Sequence, residues 1–190
     1  MNKEWSAMRT AERQEVMFEK FLMPEGVTFE SPQAEHDFKA RAERIIDVIQ
    51  LKKTPDQVPV VPMVGFYPTV YAGKTPYDAM YDFQVLDETF TNYMLEFKPD
   101  AHISVGVAAP GKLYEILDYQ LYSWPGHGVP KTRSYQAREG EYMMADEYDE
   151  LIQDPTHYFL TKYFPRIFGA LAPLSNLSPL TNILEMYGGF

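Results

Sequence analysis

Apolar residues recur at helical spacing from the start of the chain. Between residues 3 and 22, Trp5, Met8, Val16, Phe18, Phe21 and Leu22 mark an amphipathic helix that the Pro24-Glu25-Gly26 turn ends. Ser31-Pro32 starts a second helix running to about Leu51, with Phe38, Ala42, Ile45 and Ile49 at helical spacing. After the basic pair Lys52-Lys53 and a Pro-Asp turn, the pattern changes to a short apolar strand from Val58 to Val64. A Gly/aromatic loop follows. The next helix is predicted with Thr75 as N-cap, Pro76 as first residue and Asp78 as third.

The alternation continues. Leu86, Phe90, Tyr93 and Phe97 lie on one face of a helix from Gln84 to Phe97, and Asp100 to Val105 reads as a second strand. Pro110-Gly111 turns into a short helix carrying Leu113, Ile116 and Leu117, and Gln120 to Trp124 reads as extended. Past a polar loop from Pro125 to Ser134, the segment Tyr135 to Met143 is an expected hairpin partner. Asp146 and Asp154-Pro155 cap two helices, Pro165 breaks the second, and Ser178-Pro179 starts a last one ending at Gly188-Gly189. Strands alternating with helices place the chain in the α/β class.

Composition adds exclusions. With 45% hydrophobic and 15% aromatic residues, there is ample core material for a single globular piece. No apolar run approaches the roughly 20 residues a membrane helix needs, and the stretch MNKEWSAMRTAERQ has no apolar signal region, so a cytoplasmic location without membrane contact is expected. A net charge of -10 argues against nucleic acid as a partner. With no cysteine there is no disulfide and no thiolate-ligated zinc in this chain, and no metal site is expected.

Several motifs together resemble the uroporphyrinogen decarboxylase superfamily, which includes corrinoid-linked methyltransferases. They are Asp56-Gln57-Val58-Pro59-Val60-Val61-Pro62-Met63, Gly73, Asp78-Ala79-Met80, Lys98-Pro99-Asp100-Ala101, Trp124-Pro125-Gly126-His127-Gly128, and Asp146 to Pro155, which together cover most of residues 41 to 175. The resemblance implies a (β/α)8 barrel, a fold of roughly 200 to more than 400 residues, of which this chain would supply the N-terminal half. The expected organisation is a helical extension over residues 1–40, then the first part of a TIM barrel over residues 41–190, with about three to four of eight strands. Half a barrel has open edges, so a chain carrying the remaining strands, or a second copy as a homo-oligomer, is the expected partner.

The resemblance also frames the chemistry. A decarboxylase of this superfamily is expected to carry an Arg-rich loop after its first strand and an Asp after its second. Here those places hold Val64-Gly65-Phe66-Tyr67-Pro68 and Val105-Gly106-Val107-Ala108, with neither arginine nor carboxylate. Apolar and aromatic replacements suit a small methylated substrate or the face of a flat macrocycle. The reading closest to the residues is therefore part of a methyltransferase moving a methyl group between such a substrate and a corrinoid protein. The corrinoid would lie on that partner, and this chain alone would bind no cofactor. A tetrapyrrole decarboxylase and a non-catalytic barrel piece serving as a binding or assembly subunit are the alternatives. In zinc-dependent members the thiolate ligands come from the C-terminal half.

Candidate site residues sit at predicted strand ends. His102 and Ser104 alternate with Ile103 and Val105, and His102 is a candidate acid, base or ligand if that side faces the interior; the alternative is a hydrogen-bonded core group. Glycines around His127 give the backbone freedom to hold an imidazole at a lip, where it titrates near neutral pH. Glu141, two residues from Glu139 on an extended segment, is a candidate general base. Phe66, Tyr67, Tyr71, Ser104, Trp124 and Arg133 are the expected substrate-binding residues. His36 and His157 fall on predicted helices and are expected at the surface.

Overall fold

Several helix signals in the sequence reappear as helices in the computed structural model, which describes residues 5–102 and 108–178. These form two compact units, one of residues 5–63 with 94–102, the other of residues 64–93 with 108–178. The fold is mixed, with helices predominating over a small sheet.

In the first unit a 3-10 turn, Trp5–Ala7, precedes α1, Thr10–Leu22, and α2, Pro32–Gln50. The Ser31 hydroxyl accepts from Ala34 N–H at 3.1 Å, so the Ser-Pro pair is a true helix start. Phe29 in the connecting loop packs on Phe38 of α2 with ring centroids 5.3 Å apart. α2 buries Ala42, Arg44 and Ile46. Its buried arginine organises the unit. Arg44 donates twice to Asp56, at 2.6 and 2.7 Å, and also to the buried carboxylate of Asp100. Asp100 in turn accepts from Val60 N–H at 2.7 Å, and Val60 O accepts from Asp100 N–H at 2.9 Å.

Those bonds set residues 58–63 beside residues 100–102, but among the described residues no strand ladder forms there. Pro59 and Pro62 lack the N–H groups a ladder requires, and the only pairing of the first segment is at Val60. The apolar run from Val58 to Val64 therefore has no assigned strand, and Val58, Val60, Val61 and Met63 are exposed. His102 is likewise outside any strand and exposed, while the remainder of the second expected strand, including Ser104, lies outside the described residues. So does the last expected helix beyond Ser178. Among the described residues the sheet has three short strands, and nothing in it traces a barrel.

The second unit starts with α3, Tyr67–Tyr71, and α4, Pro76–Tyr81. Thr75 caps α4 and Asp78 returns the bond, Asp78 N–H to Thr75 Oγ1 at 3.2 Å and Thr75 N–H to Asp78 Oδ2 at 2.9 Å. α5, Phe83–Phe97, begins on the Asp82 carboxylate, which accepts from Gln84 N–H at 2.9 Å. α6, Gly111–Leu117, leads to β1, Tyr122–Pro125, which pairs with β2, Gly128–Val129, and antiparallel with β3, Gln136–Ala137. Phe66, Ala79, Met80, Leu86, Phe90, Ala108 and Trp124 make the core, with Tyr81, Tyr114, Tyr119 and Tyr135 packed against it. Burial pushes the Tyr119 phenol up to about 12.

Beyond β3 the expected extended run to Met143 stops early. The Tyr142 hydroxyl donates back to Arg138 O at 2.8 Å, folding the chain over the strand end, and Glu139 and Glu141 are exposed rather than aligned on a strand face. A 3-10 turn, Ala145–Glu147, then leads into α7, Tyr148–Gln153; α8, Pro155–Tyr158, is capped by Asp154, which accepts from His157 N–H at 3.0 Å. Asp146 lies inside the turn instead of capping it. That role falls to Glu147, which accepts from Met144 N–H at 2.9 Å. A π-helical segment, Phe159–Tyr163, runs into α9, Phe164–Ile167, where Pro165 occupies the tolerated first turn and does not break the run. A 3-10 segment, Gly169–Asn176, follows.

Glu147 is buried, and Arg166 bonds both its oxygens, at 2.5 and 2.7 Å, while Tyr158 donates to it at 2.9 Å. Arg166 and the Met144 N–H hold its carboxyl far below the ordinary value of 4.5, and Arg44 holds Asp56 at about 2 against 3.8. A carboxyl depressed in the folded state stabilises it above the unfolded value and loses that contribution as pH falls. Melting temperature should thus drop as pH falls below about 4.5 and keep dropping toward about 2. Glu147→Gln should melt lower than the parent at neutral pH and show a shallower acid slope, measured by circular dichroism. Parallel slopes for the two proteins would dismiss Glu147 as a source of the acid sensitivity.

Candidate functional site

Trp124-Pro125-Gly126-His127 closes on itself as a tight turn. Trp124 N–H donates to His127 O at 2.9 Å and His127 N–H to Trp124 O at 2.7 Å. Proline in the second position and glycine at φ +83° in the third are the requirements of a type II turn. A Cβ at Gly126 would stand 2.7 Å from the Tyr77 ring, so the site excludes any side chain there for space as well as for conformation. The closing pair brings the indole and imidazole face to face, with centroids 4.7 Å apart and planes at 18°.

Two helices complete the arrangement. α4 presents Tyr77 and Tyr81 four residues apart, stacked at 4.2 Å. α6 presents Lys112 and Glu115, joined at 2.5 Å. The Tyr81 hydroxyl accepts from Trp124 Nε1–H at 3.2 Å and donates to Glu115 Oε1 at 2.9 Å, while His127 Nε2 lies 3.1 Å from that same oxygen. Lys131 Nζ sits 3.9 Å from the centre of the Tyr77 ring.

Charges follow from this geometry. Lys112, then Tyr81, hold the Glu115 carboxyl below its ordinary range, so it is an anion at neutral pH. Burial, with Glu115 adding to it against the Trp124 bond, pushes the Tyr81 phenol up to about 12. Tyr81 therefore keeps its proton and acts only as a donor to the carboxylate. Glu115 fixes Nε2 of His127 as the protonated nitrogen, leaving Nδ1 to accept from a ligand when neutral or to donate when charged. Trp124 is 5% exposed but the His127 side chain is 39% exposed, so the imidazole alone of the pair reaches solvent. The arrangement is a carboxylate-backed imidazole on an aromatic wall, suited to passing one proton to or from a ligand laid against it.

Only His127 of the expected catalytic residues belongs to this cluster. Glu141 takes no part in it, and His102 belongs to the other unit, lining a cavity with Arg41 and Lys98. Phe66, expected to face substrate, is a core residue at 6% exposure, its ring 5.5 Å from Tyr135. Trp124 is a platform rather than a binding surface, since its indole N–H is committed to Tyr81. Tyr67 and Tyr71 are half-exposed and pack with Tyr93 at centroid distances of 5.8 to 6.2 Å. Arg133 is exposed on the loop after β2. His36 is exposed on α2, and His157 is partly exposed on α8.

Glu115, Tyr81, Tyr77 and Lys112 escaped the sequence reading. The available signals were local ones, the Tyr77–Tyr81 pair at helical spacing and Lys112–Glu115 one turn apart, and neither points to the other. Among the described residues no three His, Asp or Glu side chains converge as ligands for a metal ion. No helix among them is long and apolar enough to cross a membrane. Compared with known protein families, with characterised proteins and with solved structures, the chain matches none.

Proposed function

We propose that this chain is a uroporphyrinogen decarboxylase-like protein acting as part of a methyltransferase, in which a methyl group passes between a small methylated substrate and a corrinoid on a partner protein. The observation that carries the reading is His127 Nε2 held 3.1 Å from Glu115 within the Trp124–His127 turn. Moving a methyl group off nitrogen, oxygen or sulfur leaves that atom with an extra electron pair, and a proton delivered there makes it a better leaving group. A charged imidazole backed by Glu115 can give that proton and recover it from water. The corrinoid would supply the acceptor for the methyl group. Trp124, Tyr81 and Tyr77 hold the imidazole in place.

The cations nearby favour this over decarboxylation of a tetrapyrrole. Lys112 is tied to Glu115 and Lys131 to the Tyr77 ring, so neither is poised to grip a ring of carboxylates.

The partial barrel is part of the same proposal. Bonds joining Val60 to Asp100 and Ala101 hold two extended segments side by side, as the first two strands of a barrel would lie. The exposed side chains of Val58, Val61 and Met63 would be covered by a chain carrying the remaining strands or by another copy of this one. A cytoplasmic setting suits such a complex.

The test is methyl transfer to reduced cobalamin from a panel of methylated amines, ethers and thiols, followed by the absorbance of methylcobalamin. Transfer from one of them is expected. Carbon dioxide released from a porphyrinogen would replace this reading by decarboxylation, and inertness toward both classes, with and without a partner chain, would leave an assembly subunit.

A further inference from the structure

Among the described residues, the cavity between α2 and the end of α5 has donors to spare, and all but one of its carboxylate oxygens are already used. It has a volume of about 380 Å³ and is lined by Arg41, Lys98 and His102 together with the carboxylates of Asp37 and Asp100. Both oxygens of Asp100 are occupied, one by Arg44 and the other by Val60 N–H at 2.7 Å. Asp37 Oδ1 accepts from Gln33 at 2.7 Å. Among the described residues neither Arg41 nor Lys98 has an ion pair, and Arg41 makes none with Asp37 although the two are a helical turn apart.

We propose that this cavity binds a small oxyanion, a phosphate or carboxylate group, through Arg41, Lys98 and His102. A guanidinium offers two parallel N–H groups to such an ion, and an ammonium adds a point charge. Lys98 follows the last turn of α5 with φ +44°, where the helix carbonyls favour a positive charge. Those carbonyls repel an anion, so the side chains must hold it. His102 has an N–H to donate in either protonation state. Asp37 keeps one oxygen unbonded, which limits the cavity to ligands of low charge. In a chain of net charge -10 such a local excess of unused donors is not a general surface property. The inference is independent of the methyl-transfer reading, because it concerns other residues in the other unit.

The test is titration of the full chain with inorganic phosphate and separately with acetate, at constant ionic strength set by chloride, followed through the nitrogen-proton resonances of Arg41, Lys98 and His102. Saturable shifts with one or both ions are expected, and which ion saturates names the source of the group. Arg41→Gln and Lys98→Gln should each weaken binding about tenfold, the scale of one lost charge-assisted bond. Lys52→Gln, at an exposed lysine outside the cavity, should leave it unchanged. Linear shifts with both ions, or saturable binding that survives Arg41→Gln and Lys98→Gln in variants with the parent's circular dichroism, would overturn the proposal.

Discussion

Replacing Trp124 by alanine will remove about 3–5 kcal/mol of stability, the range for emptying a large aromatic site in a core. The indole is 5% exposed, sits among Phe66, Met80 and Phe90, meets Tyr114 edge-on at 5.4 Å and carries the imidazole of His127 on its face. Its N–H also donates to the Tyr81 hydroxyl, so the substitution removes that bond as well as leaving a hole, while the hydroxyl keeps Glu115 as its acceptor. For a chain of this size the loss corresponds to roughly 6–20 °C in melting temperature. Trp5→Ala, at a residue 50% exposed, is the comparison and should stay within about 1 kcal/mol. Urea melts of the two variants decide it. A cost below about 1 kcal/mol for Trp124→Ala would mean that the turn is not anchored in the core.

The largest functional effect is expected at His127. If the imidazole delivers the proton, His127→Ala should lower the turnover rate by about 10²- to 10⁴-fold, the usual contribution of a positioned acid or base. Glu115→Gln keeps an acceptor for the imidazole but removes the carboxylate charge beside it, so its loss should be smaller. His36→Ala and His157→Ala should be silent, since both side chains lie on helices outside the cluster. Measuring kcat against pH for the set separates these outcomes. Equal rates in all four variants would place the chemistry elsewhere.

Local chemistry was legible in the sequence, and long-range chemistry was not. Ser31-Pro32 and Thr75-Pro76 with Asp78 mark helix starts because a cap needs only neighbours three residues away. The turn that holds His127 was visible for the same reason, in the glycines around it. Residues 58–64 misled because apolar spacing reports where side chains go, whereas a ladder depends on N–H groups that Pro59 and Pro62 do not have. Phe66 misled because aromatic residues in a Gly-containing loop look available, yet a chain with this many aromatic rings buries its loop aromatics against one another. Glu115 and Tyr81 are 34 residues apart and meet only because α4 and α6 pack together, with Gly111 giving room for the Tyr81 ring. No local pattern encodes that meeting.

The stack of His127 on Trp124 has an optical consequence. A charged imidazole in contact with an indole quenches its emission by accepting an electron from the excited ring, and a neutral one does so far less. The chain has two tryptophans, and Trp5 lies on the exposed turn before α1. With Trp5 changed to phenylalanine, all remaining indole light would come from the one ring that touches the imidazole. The fold thus carries its own fluorophore at the proton-bearing group, and ligand capture or proton uptake there can be followed without adding a label.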